Sequence, residues 1–224
     1  DGQLASLGFA TDITERKNIE SWLLLSEANA TNLANMLRMM CDNVPDMIWA
    51  KDLDKNYIFA NKAICEHLLG AKDTNEPIGK NDLFFAQRER NLFPDNPDWH
   101  TFGEICQDSD YLTLRQGKTA RFEEFGNVKG KYLCLDVFKA PFVNDRGEVI
   151  GVVGTARDIT LKKIADEKLQ LAAMVFENSS EGMMVTNADN LIIETNPAFT
   201  KLTGYDLQEV IGNTPAILNS GEQS

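Results

Sequence analysis

The sequence predicts an α+β protein built on a five-stranded antiparallel sheet with helices on one face, flanked by connector helices. Two observations carry this prediction. First, the chain repeats itself. Gly8-Phe9-Ala10-Thr11-Asp12-Ile13-Thr14 returns as Gly154-Thr155-Ala156-Arg157-Asp158-Ile159-Thr160, with five of seven positions identical, and residues 43–61 line up without a gap on 178–196. Self-similarity of this kind marks repeated copies of one unit. Second, within the one whole copy, two strand patterns precede the helical patterns and three follow, the order of a sheet with its helices segregated to one side. The repeats divide the chain into the end of one unit (1–14), a connector (15–42), a whole unit (43–160), a second connector (161–175) and the start of a further unit (176–224).

Each element has a local reason. After Thr14 the segment ERKNIESWLLLSEANATNLANMLRMM spaces its apolar residues helically and contains no Gly or Pro. After Thr160 comes LKKIADEKLQLAAMVF, in which Leu161, Ile164, Lys168 and Leu171 fall near a heptad seam. Thr14 and Thr160 each suit an N-cap, because a threonine hydroxyl accepts from a first-turn N–H. Met47-Ile48-Trp49-Ala50 and Tyr57-Ile58-Phe59 flank the polar turn Asp52-Leu53-Asp54-Lys55-Asn56 and predict a hairpin. Residues 61–69 predict a short helix that Gly70 ends. A polar loop follows, then a second helical region over 99–115. Strands over 121–125, 131–142 and 149–157 close the unit, separated by turns at 126–130 and Asn144-Asp145-Arg146-Gly147.

Composition narrows the function. The 224 residues are 43% hydrophobic and 25% charged, ordinary for a globular protein. With 22 basic and 34 acidic residues the net charge is −12, a field that repels nucleic acid and anionic lipid. Cys41, Cys65, Cys106 and Cys134 form no CxxC pair, so zinc, iron–sulfur and attached c-type haem find no ligand pattern. They read as small buried side chains of a reducing, cytoplasmic compartment. No apolar run approaches the ~18 residues that span a bilayer, so no membrane contact is expected of this segment. Phosphate-binding loops, nucleophile elbows and HExxH are all missing from the sequence, so no catalytic or metal-binding residue is assigned. The carboxylates of residues 82–110 read as a solvated acidic loop.

The element order with its Asp-Ile-Thr ending resembles the PAS sensor fold and its C-terminal PAC motif. The residues that carry the resemblance are Asn61 after the second strand, Gly79 before the mid-domain helices, and Arg157-Asp158-Ile159-Thr160. The last unit resembles the family through Phe176-Glu177-Asn178-Ser179-Ser180-Glu181-Gly182, Asn196-Pro197-Ala198-Phe199-Thr200, Thr203-Gly204-Tyr205 and residues 212–221. Its wording is similar to PAS repeats upstream of bacterial output domains that make or degrade cyclic di-GMP, with histidine kinases next. The resemblance implies a sensory module that relays a signal through helical linkers, or else a ligand-free dimerising spacer.

Candidate sites follow. Phe84, Phe85, Trp99, Phe102 and Tyr111 from the helical region, with Phe122, Tyr132, Cys134 and Phe138 from the strands, are expected to line an apolar pocket for a small molecule. Tyr132, Cys134 and Phe138 share one phase of a strand. Haem would need a histidine, and His67 and His100 are the two available. Residues 212–221 resemble the flavin segment of LOV domains, but Pro215 stands where the photoadduct cysteine belongs and Thr214 replaces its usual asparagine. Flavin could therefore bind only without an adduct. Asp158 and Thr160, with Asp12 and Thr14 in the preceding copy, mark the signalling junctions. Asp158 is expected to pair with Lys51, Arg157 or a neighbouring lysine. The connector helices are expected to form a homodimer.

Overall fold

The computed structural model describes Asp12 and residues 14–218. It divides into two units, 1–159 and 160–224. The first copy of the repeated heptapeptide, apart from Asp12 and Thr14, lies outside the described residues.

Unit 1 opens with helix α1 (Thr14–Asp42). Strands β1 (Met47–Asp52) and β2 (Tyr57–Ala60) form the expected hairpin. Helix α2 (Lys62–Ile64) runs on as a π-helical turn, Cys65–Leu69, which ends at Gly70 in the left-handed conformation. Helices α3 (Asp82–Leu92) and α4 (Glu104–Gln116) follow. Strands β3 (Ala120–Val128), β4 (Lys131–Val143) and β5 (Val149–Asp158) complete an antiparallel sheet of order β2-β1-β5-β4-β3. β1 thus pairs with both its hairpin partner and the last strand. Register aligns Trp49 with Gly154, Gly154 with Lys139, and Met47 with Ala156 across the sheet.

The alternation of the strands decides which side chains enter the core. On β1 the inward phase is Met47, Trp49 and Lys51; on β4 it is Leu133, Leu135, Val137 and Lys139, all buried. These pack with Ile64, Leu68 and Leu69 of the short helices and with Phe85 and Phe102. Each large apolar side chain so buried contributes about 1.5–3 kcal/mol relative to exposure.

Two sequence expectations change. Residues 82–92, expected as polar loop, are helix α3, started by Asn81, whose side chain accepts from Phe84 N–H. The second helical region begins at Glu104 rather than at residue 99. The cause is the same in both places. The buried faces of these helices carry acids and hydroxyls, Asp82, Phe85, Ala86 and Glu89 on α3 and Cys106, Ser109, Asp110 and Thr113 on α4. The spacing i, i+3, i+4, i+7 is that of a buried stripe, but its chemistry imitates a solvated face.

Unit 2 begins with helix α5 (Thr160–Asn178), followed by the antiparallel pair β6 (Met184–Thr186) and β7 (Ile192–Thr195). Helices α6 (Pro197–Thr203) and α7 (Leu207–Val210) and a 3-10 turn, Pro215–Leu218, follow. Its core is small: Ile192, Phe199 and Val210, with Met184, Ile217 and Leu218 against them. No helix among the described residues is long and apolar enough to cross a membrane.

Candidate functional site

Five charged side chains meet in the interior of unit 1, none more than 4% exposed: Lys51 from β1, Asp82 from α3, Asp110 from α4, Glu124 from β3 and Lys139 from β4. They are there because each occupies the inward phase of its own element. Lys51 Nζ donates to Asp82 Oδ2 at 2.5 Å and to Asp110 Oδ2 at 2.7 Å. Lys139 Nζ donates to Asp110 Oδ1 and Ser109 Oγ at 2.6 Å each and to the Cys106 carbonyl at 2.9 Å, with Glu124 Oε1 at 3.1 Å. Tyr57 Oη donates to Asp82 Oδ1 at 2.5 Å, and Ser109 Oγ lies 2.5 Å from Glu124 Oε1. Asp110 therefore bridges both lysines, and five different elements are tied at one point.

The electrostatics follow from this geometry. Burial opposes charge on Lys51, but the Asp82 and Asp110 carboxylates outweigh it and hold the ammonium above its ordinary range. Burial likewise opposes charge on Lys139, and Glu124 and Asp110 more than restore it. Burial pushes the Asp110 carboxyl up, yet the two ammonium groups win and keep it below the usual carboxylate value. Tyr57 and the Cys106 thiol are driven well up by burial first and then by the neighbouring acids, Asp82 for the phenol and Glu124 for the thiol, so both stay neutral. In so dry a setting a charge survives only when paired and hydrogen-bonded.

A closed cavity of about 10 Å³ remains at the centre, walled by Trp49, Ile64, Leu68 and Leu135 beside the charged groups. That is room for about one water molecule. Trp49 is buried, and its indole N–H has no protein partner among the described residues. The arrangement holds fixed charges of both signs and ties together the five elements that carry them.

The sequence-derived pocket is a different set of residues. Phe85, Phe102 and Phe122 do share the core around this site. Phe84 and Tyr111 are largely exposed, and Trp99 stacks on Phe93 with ring centroids 3.9 Å apart. Tyr132, Cys134 and Phe138 do share one strand phase, but it is the opposite one: Leu133, Leu135, Val137 and Lys139 face the helices, leaving Tyr132 and Phe138 half exposed. None of the nine lines the central cavity. The lysines had left the true inward phase looking like surface, although a lysine recurring in register with Leu and Val on a strand was the signal that could have found it.

The junction residues occupy the ends of elements. Asp158 closes β5 opposite Leu135, and Thr160 is the first residue of α5. Asp12 Oδ1 accepts from Thr14 N–H at 2.9 Å, and the Thr14 hydroxyl first and this backbone bond second keep its carboxyl below the ordinary range. The two bases named as partners for Asp158 are engaged elsewhere, Lys51 in the network and Arg157 with Asp46 through Nε at 2.9 Å and Nη2 at 2.6 Å.

Neither cofactor fits the central cavity. His100 is buried before α4 rather than on it, with burial the main cause of a lowered imidazole pKa, and it does not line that cavity. His67 is exposed. A flavin ring is likewise far larger than the central cavity, and Pro215 opens the 3-10 turn in unit 2.

Comparison with known proteins supplies the context. A family model described as the PAS fold matches residues 41–163, and a second, also described as the PAS fold, matches 172–224. Among solved structures the chain is similar to VqmA bound to DPO, at 20% identity over 56% of this chain and 57% of that one, with a TM-score of 0.44. It is similar to the PAS domain of Bordetella pertussis BvgS, at 17% identity over 64% and 98%, TM-score 0.43. A PAS domain of an HTR-like protein from Haloarcula marismortui matches at 22% identity over 60% and 98%, TM-score 0.42. The chain spans little more than half the length of the VqmA chain.

Proposed function

The chain belongs to the PAS family, in tandem repeats, and from that premise we propose that residues 43–160 are a non-catalytic sensory module whose detector is the buried network of Lys51, Asp82, Asp110, Glu124 and Lys139. The observation that supports this reading is that five elements are joined through one set of paired charges around a central cavity. A small polar molecule that displaced one internal ion pair would move helices α3 and α4 against the sheet, and the connectors would carry the movement onward. The test is mass spectrometry of the purified chain under native and denaturing conditions, followed by thermal shift against polar metabolites with wild type and Lys139→Met. A species that binds wild type and is lost in the variant supports the detector. Binding that is equal in both removes the network from the site.

One observation favours a second reading. The cavity of about 10 Å³ is closed and its charges already satisfy one another, as suits a spacer that binds nothing and relays strain between neighbours. Mass spectra free of any adduct, with no thermal shift across the library, would select it.

Both readings take a second copy of the chain as partner. On α1, Ile19, Trp22, Leu33, Met36 and Met40 are all more than half exposed and fall at a and d positions of one heptad register, whose two middle positions are the polar Ser26 and Asn29. Such a seam is covered by an identical helix in a parallel pair, and a polar residue within it costs stability while fixing the register of the two helices. For the output, the wording of the last repeat supports cyclic di-GMP turnover ahead of a histidine kinase, which an activity assay of the parent protein would distinguish.

A further inference from the structure

The same asparagine occurs at the same point of both repeats with the same four bonds. Asn61 Nδ2 donates to the carbonyls of Cys41 and Asp46, each at 2.9 Å, and its Oδ1 accepts from Ile48 N–H at 2.9 Å and Ile64 N–H at 3.2 Å. Asn196 Nδ2 donates to the carbonyls of Phe176 at 3.0 Å and Glu181 at 2.9 Å, and its Oδ1 accepts from Met183 N–H at 2.8 Å and Phe199 N–H at 2.9 Å. The sequence separations are 20, 15, 13 and 3 residues in both cases. Both amides are at most 1% exposed. Each uses its two donors and both acceptor positions, which is the full capacity of the side chain.

Those four bonds join four different parts. One runs to the last turn of the preceding helix, α1 or α5; one to the loop after it; one to the first strand at Ile48, or to Met183 just before it; and one caps the short helix α2 or α6. A cap needs only the bond to Ile64 or Phe199. The bonds to Cys41 and Phe176 add nothing to capping, and what they do is fix each incoming helix to its repeat. For α1 this matters, because almost all of the helix is exposed along its length. Its other side-chain ties also lie in the last turn: Asp42 Oδ1 accepts from Lys62 N–H at 2.9 Å, and the Arg38 guanidinium lies over Phe59. The far side of the clamp reaches the detector, since Ile64 walls the central cavity and Ile48 precedes Trp49, which walls it too.

We infer that Asn61 and Asn196 are positioning residues that clamp each connector helix to the first strand and first short helix of the repeat it enters. Each clamp sets the angle of its helix and passes displacement between helix and repeat. This rests on the relay reading above and extends it to the input side of each repeat, where the Asp158–Thr160 junction concerns the exit.

The substitution that separates clamping from folding is Asn→Asp. Aspartate keeps the acceptor oxygen and is itself a good N-cap, but it has no N–H to donate to the carbonyls of the helix and of the loop after it. Spin labels at Glu27, beside the seam of α1, and Thr155, in the full chain with Cys41→Ser and diluted with unlabelled protein, report the α1-to-sheet distance. Labels at Lys168 and Val185 report α5 against β6. Asn61→Asp is expected to turn the first distance from one narrow peak into a broad distribution and leave the second unchanged. Asn196→Asp is expected to do the reverse. An unbroadened distribution in either folded variant overturns the clamp, as does loss of thermal stability without broadening. If Asn61→Asp does not fold, Asn196→Asp decides alone. A further arm examines the relay itself: Lys139→Met is expected to shift the α1 distance in the wild-type background and not in Asn61→Asp. Broadening by Asn61→Asp with no response to Lys139→Met sustains the clamp and counts against the relay reading only.

Discussion

Lys139 makes four polar contacts in the dry interior, and its ammonium lies over the Trp49 ring, 5.6 Å from the centroid. Methionine fills similar volume without charge. Lys139→Met would therefore preserve packing, strip Glu124 of its ammonium partner and leave Asp110 with Lys51 alone, an imbalance that costs about 3–5 kcal/mol when one partner of a buried pair is removed. Urea unfolding should show that loss, and adding Glu124→Gln should recover part of it, because the second change removes a stranded charge. The pH dependence of stability has a definite sign. The folded Asp110 carboxyl sits below its ordinary 3.8, so its contribution is present at neutral pH and is lost as pH falls through the folded value. Lys51 and Lys139 sit above their ordinary 10.5, so their contributions are complete below that value and disappear as pH rises through the folded ones. Stability should show no step from this network across neutral pH, and Asp110→Asn should flatten the acid limb of the denaturation profile.

At the scale of elements, β5 and β1 depend on a missing side chain. A Cβ on Gly154 would stand 2.5 Å from the Trp49 indole, which lies across that strand and walls the cavity. Gly154→Ala should displace the ring, raise its solvent exposure and shift tryptophan fluorescence to the red, with a loss of about 1–3 kcal/mol from overpacking. An unshifted spectrum would mean the strand yields instead of the ring. Helix α1 offers the second element-level expectation. Leu33→Glu and Met36→Glu together place charge in the proposed seam, and light scattering should show the dimer reduced to monomer with the melting of unit 1 little changed. An unchanged mass would move the interface elsewhere.

Across the whole molecule, the two units have unequal cores. Unit 1 buries a continuous cluster that joins β1, β2, β4, β5 and four helical segments, whereas the described core of unit 2 centres on Ile192, Phe199 and Val210. Local opening is cheapest where few apolar contacts hold a segment. Hydrogen exchange should therefore find the slowest amides in β4 and β5 and faster exchange in β6 and β7, with two transitions on heating. A single transition with equal protection would show the units to be coupled. Net charge of −12 adds a general repulsion that salt should relieve in both.

The sequence alone determined the repeats, the five strands, both long helices and the family, because these rest on period, turn residues and a recurring heptapeptide, which are local. Asn61 and Asn196 were legible too, as matching positions in two repeats, though not as clamps, since their acceptors lie up to 20 residues away. Helix α3 was lost, and the pocket was built on the wrong strand phase, for one physical reason. Asp82, Asp110, Lys51 and Lys139 look like surface residues, and each of these charges is buried because a partner of opposite sign arrives from another element. That pairing joins residues 31, 59 and 29 positions apart. Only the tertiary structure brings them together, so only it could turn an apparently solvated set of charges into the centre of the domain.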